Sequence, residues 1–325
     1  MNIPSLYNEM NKLLCRTLAP STTRCYKSAF HSYLQFCERH NLKALPIHET
    51  NVMLYVTSIA KSSVSNVKIH ISSVKHFAAV IVGQHIPSLP RLYMLVRSIK
   101  RQSKKGPKRL PVTLSKLRVI FEFLASSSWS QMDKCMLWAA VTTAFFGFLR
   151  SSEYCSPQTK KYDAETTLCF EDISYKHSNI YITIKASKMD PFREGCTICL
   201  SPSYASVCPV TYLLNYINQH PLKSGPLFTF SDHTLLTRRR MNSLLKSAIP
   251  SGVKAPVSSH SLRIGAASTA AAAGLPRWLI QQLGRWTSDC FRTYIQIPNS
   301  TFKQVSHKLA TTLKEGETFD PDLVS

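Results

Sequence analysis

Apolar residues recur at helical spacing through the first third of the chain. Leu6, Met10, Leu13 and Leu14 make one stripe. Tyr26, Phe30, Tyr33, Leu34 and Phe36 make a second, opened by Pro20-Ser21-Thr22-Thr23, a helix-start composition. Pro46 punctuates the chain before the next stripe. Glu49 to Lys61 carries Val52, Met53, Tyr55, Val56 and Ile59, and Ser62 to Val82 carries Val67, Ile71, Val74, Phe77, Ala78 and Ile81. A short helix from Pro90 to Lys100 completes the set. Stripes of this width normally pack against one another as a core. Residues 1–100 are therefore expected to form an all-helical domain.

The pattern breaks at Lys100 to Arg109, which reads KRQSKKGPKR. It has no apolar periodicity and contains Gly106-Pro107, so residues 101–110 are expected to be a basic linker. A second domain is expected over residues 111–325. Met136 to Arg150 is almost wholly apolar and closes on one arginine, which predicts a buried helix whose terminal charge needs a partner. Leu168 to Ile173 and Ile180 to Lys185 alternate like strands, and Cys196 to Leu200 follows a turn. These predict a small antiparallel sheet. Helices are expected over Pro209 to His220 and Leu235 to Ile249, and a short amphipathic one after residue 301, with Phe302, Val305 and Leu309 ahead of an acidic tail. The fold class is mainly α with a small antiparallel β-sheet (α+β).

Charge changes this picture from architecture to partner. Forty Lys and Arg face eighteen Asp and Glu, a net charge of +22 over 325 residues. Such an excess points to a polyanion, most simply double-stranded DNA. No apolar run approaches the length of a membrane span, so a membrane role is not expected. The N-terminal residues lack the charged and apolar regions of a secretory signal. Ten scattered cysteines fit a reduced compartment. Cys196 and Cys199 are spaced C-x-x-C, but on a strand they point to opposite faces, so no metal is expected there.

The densest chemistry lies between Ser258 and Tyr294. His260 and Arg263 share one face of a helix start, with Ser258 or Ser259 as its N-cap. A small-residue helix follows, then Leu283-Gly284-Arg285-Trp286 and, eight residues after Trp286, Tyr294. This stretch resembles the C-terminal half of the tyrosine recombinases, the phage-integrase family, whose motif is His-x-x-Arg, a Leu-Gly-(His or Trp) segment and a nucleophilic tyrosine. Its wording is most similar to the recombinases of DIRS-like and Crypton-type eukaryotic mobile elements. The usual family spacing of nine would land on Arg285, which leaves Arg285 in competition with Trp286 for that position. Phe148-Leu149-Arg150-Ser151-Ser152-Glu153 resembles the family's Gly-Leu-Arg-x-x-Glu box, and Ser187-Lys188-Met189-Asp190 its lysine hairpin, with Lys185 as runner-up.

The resemblance implies a site-specific recombinase or integrase that cuts DNA through a 3′-phosphotyrosyl bond, without metal, ATP or other cofactor. It implies catalytic roles for Arg150, Lys188, His260, Arg263, Trp286 and Tyr294, with Glu153 and Arg285 in support. Backbone contacts are expected from Thr22, Thr23, Arg24, Lys27, Lys68, Lys104, Lys105, Lys108, Arg238, Arg239 and Arg240. It further implies a homo-oligomer, a tetramer on DNA with the C-terminal helix exchanged between subunits. The location would be the nucleus of a eukaryotic host, or otherwise the cytoplasm. A recombinase-derived DNA-binding protein that no longer cuts, and a type IB topoisomerase, are the alternatives.

Overall fold

The computed structural model describes residues 2–83, 88–104, 106–187, 190, 193–249 and 255–295. Lys105, Lys188 and the segment after residue 295 thus lie outside the described residues. The chain divides into two compact units, Met1–Gly106 and Pro107–Ser325.

The first unit is helical: α1 (Ile3–Cys15), α2 (Pro20–Arg39), α3 (Glu49–Ala60), α4 (Val67–Val82) and α5 (Pro90–Gln102). Its core joins Phe30, Tyr33 and Cys37 of α2 to Val52, Tyr55 and Val56 of α3, Val67, Val74 and Ala78 of α4, and Leu92 of α5. Buried hydroxyls are satisfied by backbone, Tyr33 donating to the Ala44 carbonyl at 3.1 Å and Ser73 to that of Tyr26 at 2.6 Å. The structure departs from the sequence reading at three points. The stripe on α1 joins no core, and Leu6, Met10 and Leu13 stay exposed. A 3-10 turn (Val64–Asn66) precedes α4, and α5 continues through Lys100 and Arg101, which suit the negative end of its dipole.

The second unit is built on α7 (Gln131–Phe146), buried on nearly every side from Met136 to Phe145. It packs against α9 (Pro209–Gln219), α6 (Leu114–Ser126) and α11 (His260–Ala272). The helix expected to reach Arg150 stops at Phe146 instead. Phe148 takes a left-handed φ of 50°, and Leu149 N–H reaches back to the Ala144 carbonyl at 2.9 Å, closing the helix with a tight turn. Arg150 becomes the N-cap of α8 (Ser151–Tyr154). The sheet orders β1 (Ile173–Lys176), β2 (Asn179–Ile184) and β3 (Cys196–Leu200) antiparallel, with Ile180, Ile182 and Ile184 turned into the core. The first strand was expected from Leu168. Phe170–Asp172 instead forms a 3-10 turn, held by the Asp172 carboxylate accepting from Cys169 N–H at 2.7 Å. The remaining helices are α10 (Arg238–Ala248) and α12 (Arg277–Leu283).

One strap positions the site. Leu110 N–H donates to the Pro256 carbonyl at 3.0 Å and Val112 N–H to that of Ser261 at 2.9 Å. The Val112 backbone then lies directly on Gly265, in the middle of α11, where a Cβ would overlap the Val112 carbonyl. A glycine inside a helix is usually a defect; here it permits a backbone-to-backbone approach. Gly265→Ala is expected to destabilise the fold by about 1–3 kcal/mol through overpacking. Gly106→Ala, where a Cβ meets nothing within 4 Å, is its control. Urea denaturation of both variants against the parent checks this, and equal midpoints would remove the strap from the account.

Candidate active site

Arg150 is fixed by Glu153, three residues on. The Glu153 carboxylate accepts Arg150 N–H at 2.8 Å and its guanidinium at 2.9 Å, while Glu153 N–H returns to the Arg150 carbonyl at 2.8 Å, a one-turn spacing that explains the pair. The same carboxylate accepts Arg285 Nη2 at 2.7 Å. Glu153 is 2% exposed, so one buried negative charge is shared by two guanidinium groups. Arg150 also donates to Ser187 Oγ at 3.1 Å and to the Arg285 carbonyl at 3.3 Å. Arg285, itself at a left-handed φ of 53°, donates further to the Gly147 carbonyl at 3.2 Å and the Phe148 carbonyl at 3.3 Å. Arg285 is thereby a brace whose guanidinium is engaged on Glu153 and the 147–148 turn.

Arg263 is the largest fully buried side chain among the described residues. It donates to the Phe148 and Gly284 carbonyls and lies 4.2 Å from the Trp286 ring centre. Burial first, and Arg150 second, pull its pKa down to about 9, which leaves it charged at neutral pH. Arg263 is 0% exposed, with the Trp286 ring over its guanidinium. His260, at the start of α11, is pulled down to about 4, by burial first and then by Arg109, Arg263, Arg238 and Arg150. It is therefore neutral at physiological pH. Ser259 occupies the N-cap place but makes no side-chain cap. Its backbone is already helical (φ −50°, ψ −30°), and its N–H donates to Asn242 Oδ1 at 2.7 Å.

Tyr294 stands at the end of a 3-10 turn (Asp289–Thr293), half-buried. Its ring meets His260 edge-on at 5.1 Å and Trp286 at 5.2 Å. Trp286 is buried, flanked also by Phe291 at 6.0 Å, and packs so closely on Gly284 that a Cβ there would overlap the indole. Between the two candidates for the variable position, Trp286 thus faces the tyrosine and Arg285 the carboxylate. A cavity of about 510 Å³ opens beside them, lined by Ser187, Cys196, Trp278, Gln281, Arg285 and Trp286.

The hairpin after β2 brings Ser187 onto Arg150. Lys188, the next residue, lies outside the described residues. Lys185 pairs with Asp172 at 2.7 Å. Burial lowers its pKa, but Asp172 more than reverses this, and the net shift is upward. A proton held more tightly suits a general acid poorly. Cys196 and Cys199 differ in exposure as their opposite strand faces require, and no three metal-binding side chains come together among the described residues.

The candidate backbone contacts separate. Thr23, Arg24 and Lys27 line a hollow with Arg16, which the sequence reading passed over, while Thr22 sits half-buried on the same first turn of α2. Lys68, Lys104, Lys108, Arg238 and Arg239 are exposed. Arg238 adds to the charge that lowers the His260 pKa. Arg240, two residues along α10, points elsewhere because successive helical residues turn by about 100°. It lies over the Phe230 ring at 4.4 Å, donates to Thr234 and pairs with Asp232 at 3.8 Å. Arg109 and Ser187 also escaped the sequence reading as site residues, since their placement depends on the strap and the hairpin.

No protein-family model matches the chain. It is 22% identical over 291 residues to an integrase/recombinase xerD homolog of Selenomonas ruminantium, covering 84% of this chain and 80% of that protein. Its fold is similar to that of lambda integrase (residues 75–356), solved as a dimer bound to a COC′ core site, at TM-score 0.59 and 17% identity over 99% of this chain and 100% of that one. It is likewise similar to the XerH site-specific recombinase in a post-cleavage complex with a palindromic difH substrate, at TM-score 0.60 and 15% identity over 89% and 79% of the two chains.

Glu153→Gln keeps the shape of the carboxylate but removes the charge shared by Arg150 and Arg285. It is expected to cost about 3–5 kcal/mol, the penalty for unpairing buried charges. Glu122→Gln, which opens the exposed Arg118–Glu122 pair, should cost less than about 1 kcal/mol. Urea denaturation compares the two; equal small losses would mean that Glu153 is not the anchor.

Proposed function

We propose that this chain is a tyrosine recombinase that cleaves and rejoins double-stranded DNA at specific sites. The observation that carries this reading is the packing of Tyr294 between His260 and Trp286, with Arg263 stacked on that same indole. The relative's name and the DNA-bound structures sharing the fold support it.

In this reading, the Tyr294 phenol oxygen attacks a backbone phosphorus. A P–O bond to the tyrosine forms as the bond to the 5′ oxygen breaks, giving a 3′-phosphotyrosyl intermediate. His260 is neutral, and takes the phenolic proton once the phosphate anion beside it has raised its basicity. Lys188 gives a proton to the departing 5′ oxygen. Charge building on the non-bridging oxygens is met by Arg150 and Arg263, whose planar guanidinium groups stay charged. Glu153 and Arg285 hold that pair in place, and Trp286 shapes the pocket. A 5′ hydroxyl then attacks the phosphotyrosine, restores the backbone and frees the enzyme. No step draws on ATP or a metal ion.

The finer reading is a recombinase of a mobile element, DIRS-like or Crypton-type, acting as a tetramer that exchanges its C-terminal helix. Its basic run from Lys100 to Arg109 also suits nuclear import in a eukaryotic host.

A nicked duplex, chosen from a randomised pool by binding and labelled at the nick, tests the chemistry. Wild type should form a covalent adduct in EDTA, and Tyr294→Phe should bind the duplex as well yet form none. An adduct that survives in Tyr294→Phe, or that requires Mg²⁺, would sink the proposal. Supercoil relaxation without recombinant products would move the protein to the type IB topoisomerases. Lys188→Ala should slow cleavage of an ordinary phosphodiester at least about a hundredfold. It should hardly affect a 5′-bridging phosphorothiolate, whose sulfur leaves unprotonated. Equal defects on both substrates would remove Lys188 from the acid role.

A further inference from the structure

A large aromatic side chain left in solvent is informative where it shares a wall with a site. Trp278, on α12, is 65% exposed. The buried residue of that helix is Ile280, two positions on, and two positions turn a helix to nearly its opposite side. Gln281 and Gln282 follow Trp278 by three and four residues and so share its face. That face, with the turn at Gly195 and Cys196, lines the cavity of about 510 Å³ beside the site. Two of its other walls belong to the reaction centre. The Trp286 ring centre lies 5.2 Å from that of Tyr294, and Ser187 accepts from Arg150 at 3.1 Å. The Asp190 carboxylate, also in the lining, is engaged on the turn, accepting Glu194 N–H at 3.0 Å and Gly195 N–H at 2.8 Å.

We propose that this cavity holds one unpaired nucleobase from beside the reacting phosphate, stacked on Trp278. This deepens the recombinase reading and rests on it for the DNA substrate. Exchanging strands requires the cut strand to leave its complement, so a base next to the cut loses its pair and its stack. An indole face replaces the lost stack whatever the base, since every base has a π-face. The amides of Gln281 and Gln282 are groups of the kind that meet base edges. Gln281 Nε2 donates to the Trp286 carbonyl at 3.1 Å, which holds that amide in place, and Gln282 is exposed. Pockets for small molecules span roughly 300–1,000 Å³, and this cavity falls within that range. In the proposed reaction, the phosphate that Tyr294 attacks lies one indole away from the cavity, so its own nucleotides are the nearest groups able to fill it. That favours a base over a second copy of the chain as the occupant.

The test separates this contact from the chemistry. Binding is measured with the full chain carrying Tyr294→Phe, so that no cleavage intervenes. The probes are the pool-selected nicked duplex and a set lacking single bases, as abasic sites, on either side of the nick. Trp278→Ala, a change at an exposed position, should weaken binding of the unmodified duplex about tenfold, the scale of one base stacked on an aromatic ring. The loss should vanish at one abasic position beside the reacting phosphate and persist at the others. Trp278→Phe should restore part of it, since a ring returns. A mismatch opposite that same position should tighten binding by the protein that keeps Trp278, because no pair has to be broken there. An equal loss at every position, or no loss at all, overturns the proposal. An equal loss joined to a lower sedimentation mass on DNA overturns it too, and assigns Trp278 to contacts between copies. Position-specific coupling in a protein whose wild type forms no adduct would uphold the base site and strike the recombinase chemistry alone.

Discussion

Like charges repel, and this site holds Arg150, Arg263 and Arg285 close together around the turn at Phe148. What allows it is the burial of Glu153. Its two oxygens hold Arg150 and Arg285, while the Arg285 carbonyl returns to Arg150, so each arginine is fixed through the other. Arg263 has no carboxylate of its own in this arrangement. Two backbone carbonyls and an indole face take its charge, and Arg150 adds to the downward pull on its pKa. A desolvated cation over an aromatic ring is worth up to about 2 kcal/mol, so the indole offsets part of the cost of burial. The positive field is therefore built into the fold itself, which is the condition for electrostatic preorganisation.

The carbonyls that serve these arginines are turned inward by two residues in an unusual backbone region. Phe148 and Arg285 are both left-handed without being glycine, at a cost of order 1–3 kcal/mol each. The Phe148 carbonyl accepts from Arg263 and Arg285, and the Arg285 carbonyl from Arg150. Elsewhere the site depends on the absence of a side chain. Gly265 admits the Val112 backbone and Gly284 admits the Trp286 indole. Strain and close approach occur together here because both bring backbone groups to where charge must be met.

The sequence made the helical first unit, the three-stranded sheet and the His260–Tyr294 stretch legible because each is a local pattern. Arg150 and Glu153 were legible as a pair for the same reason, being one turn apart. Less legible were features set by tertiary contact. The apolar run to Arg150 hid the turn at Phe148, since hydrophobicity alone does not mark a left-handed residue. The expected strand at Leu168 opens as a 3-10 turn over Phe170–Asp172, because the Asp172 carboxylate takes the Cys169 N–H, a bond that alternation does not mark. Three arginines in a row on α10 looked alike, yet Arg238 and Arg239 are exposed and Arg240 lies over Phe230. The α1 stripe had the spacing of a core helix and joins none.

The cover that Trp286 forms over Arg263 has a thermodynamic consequence. If Arg150 and Arg263 act on one phosphate, as in the proposed reaction, part of the packing that buries Arg263, of which the indole is one side, must open when DNA is engaged. Part of the gross interaction energy is then diverted from affinity into opening the pocket. In the proposed reaction, duplexes that fit poorly would supply too little to complete that exchange and would remain bound but uncut. Discrimination between sequences would then exceed what the bare dissociation constants suggest, a fidelity step obtained at the expense of tight binding.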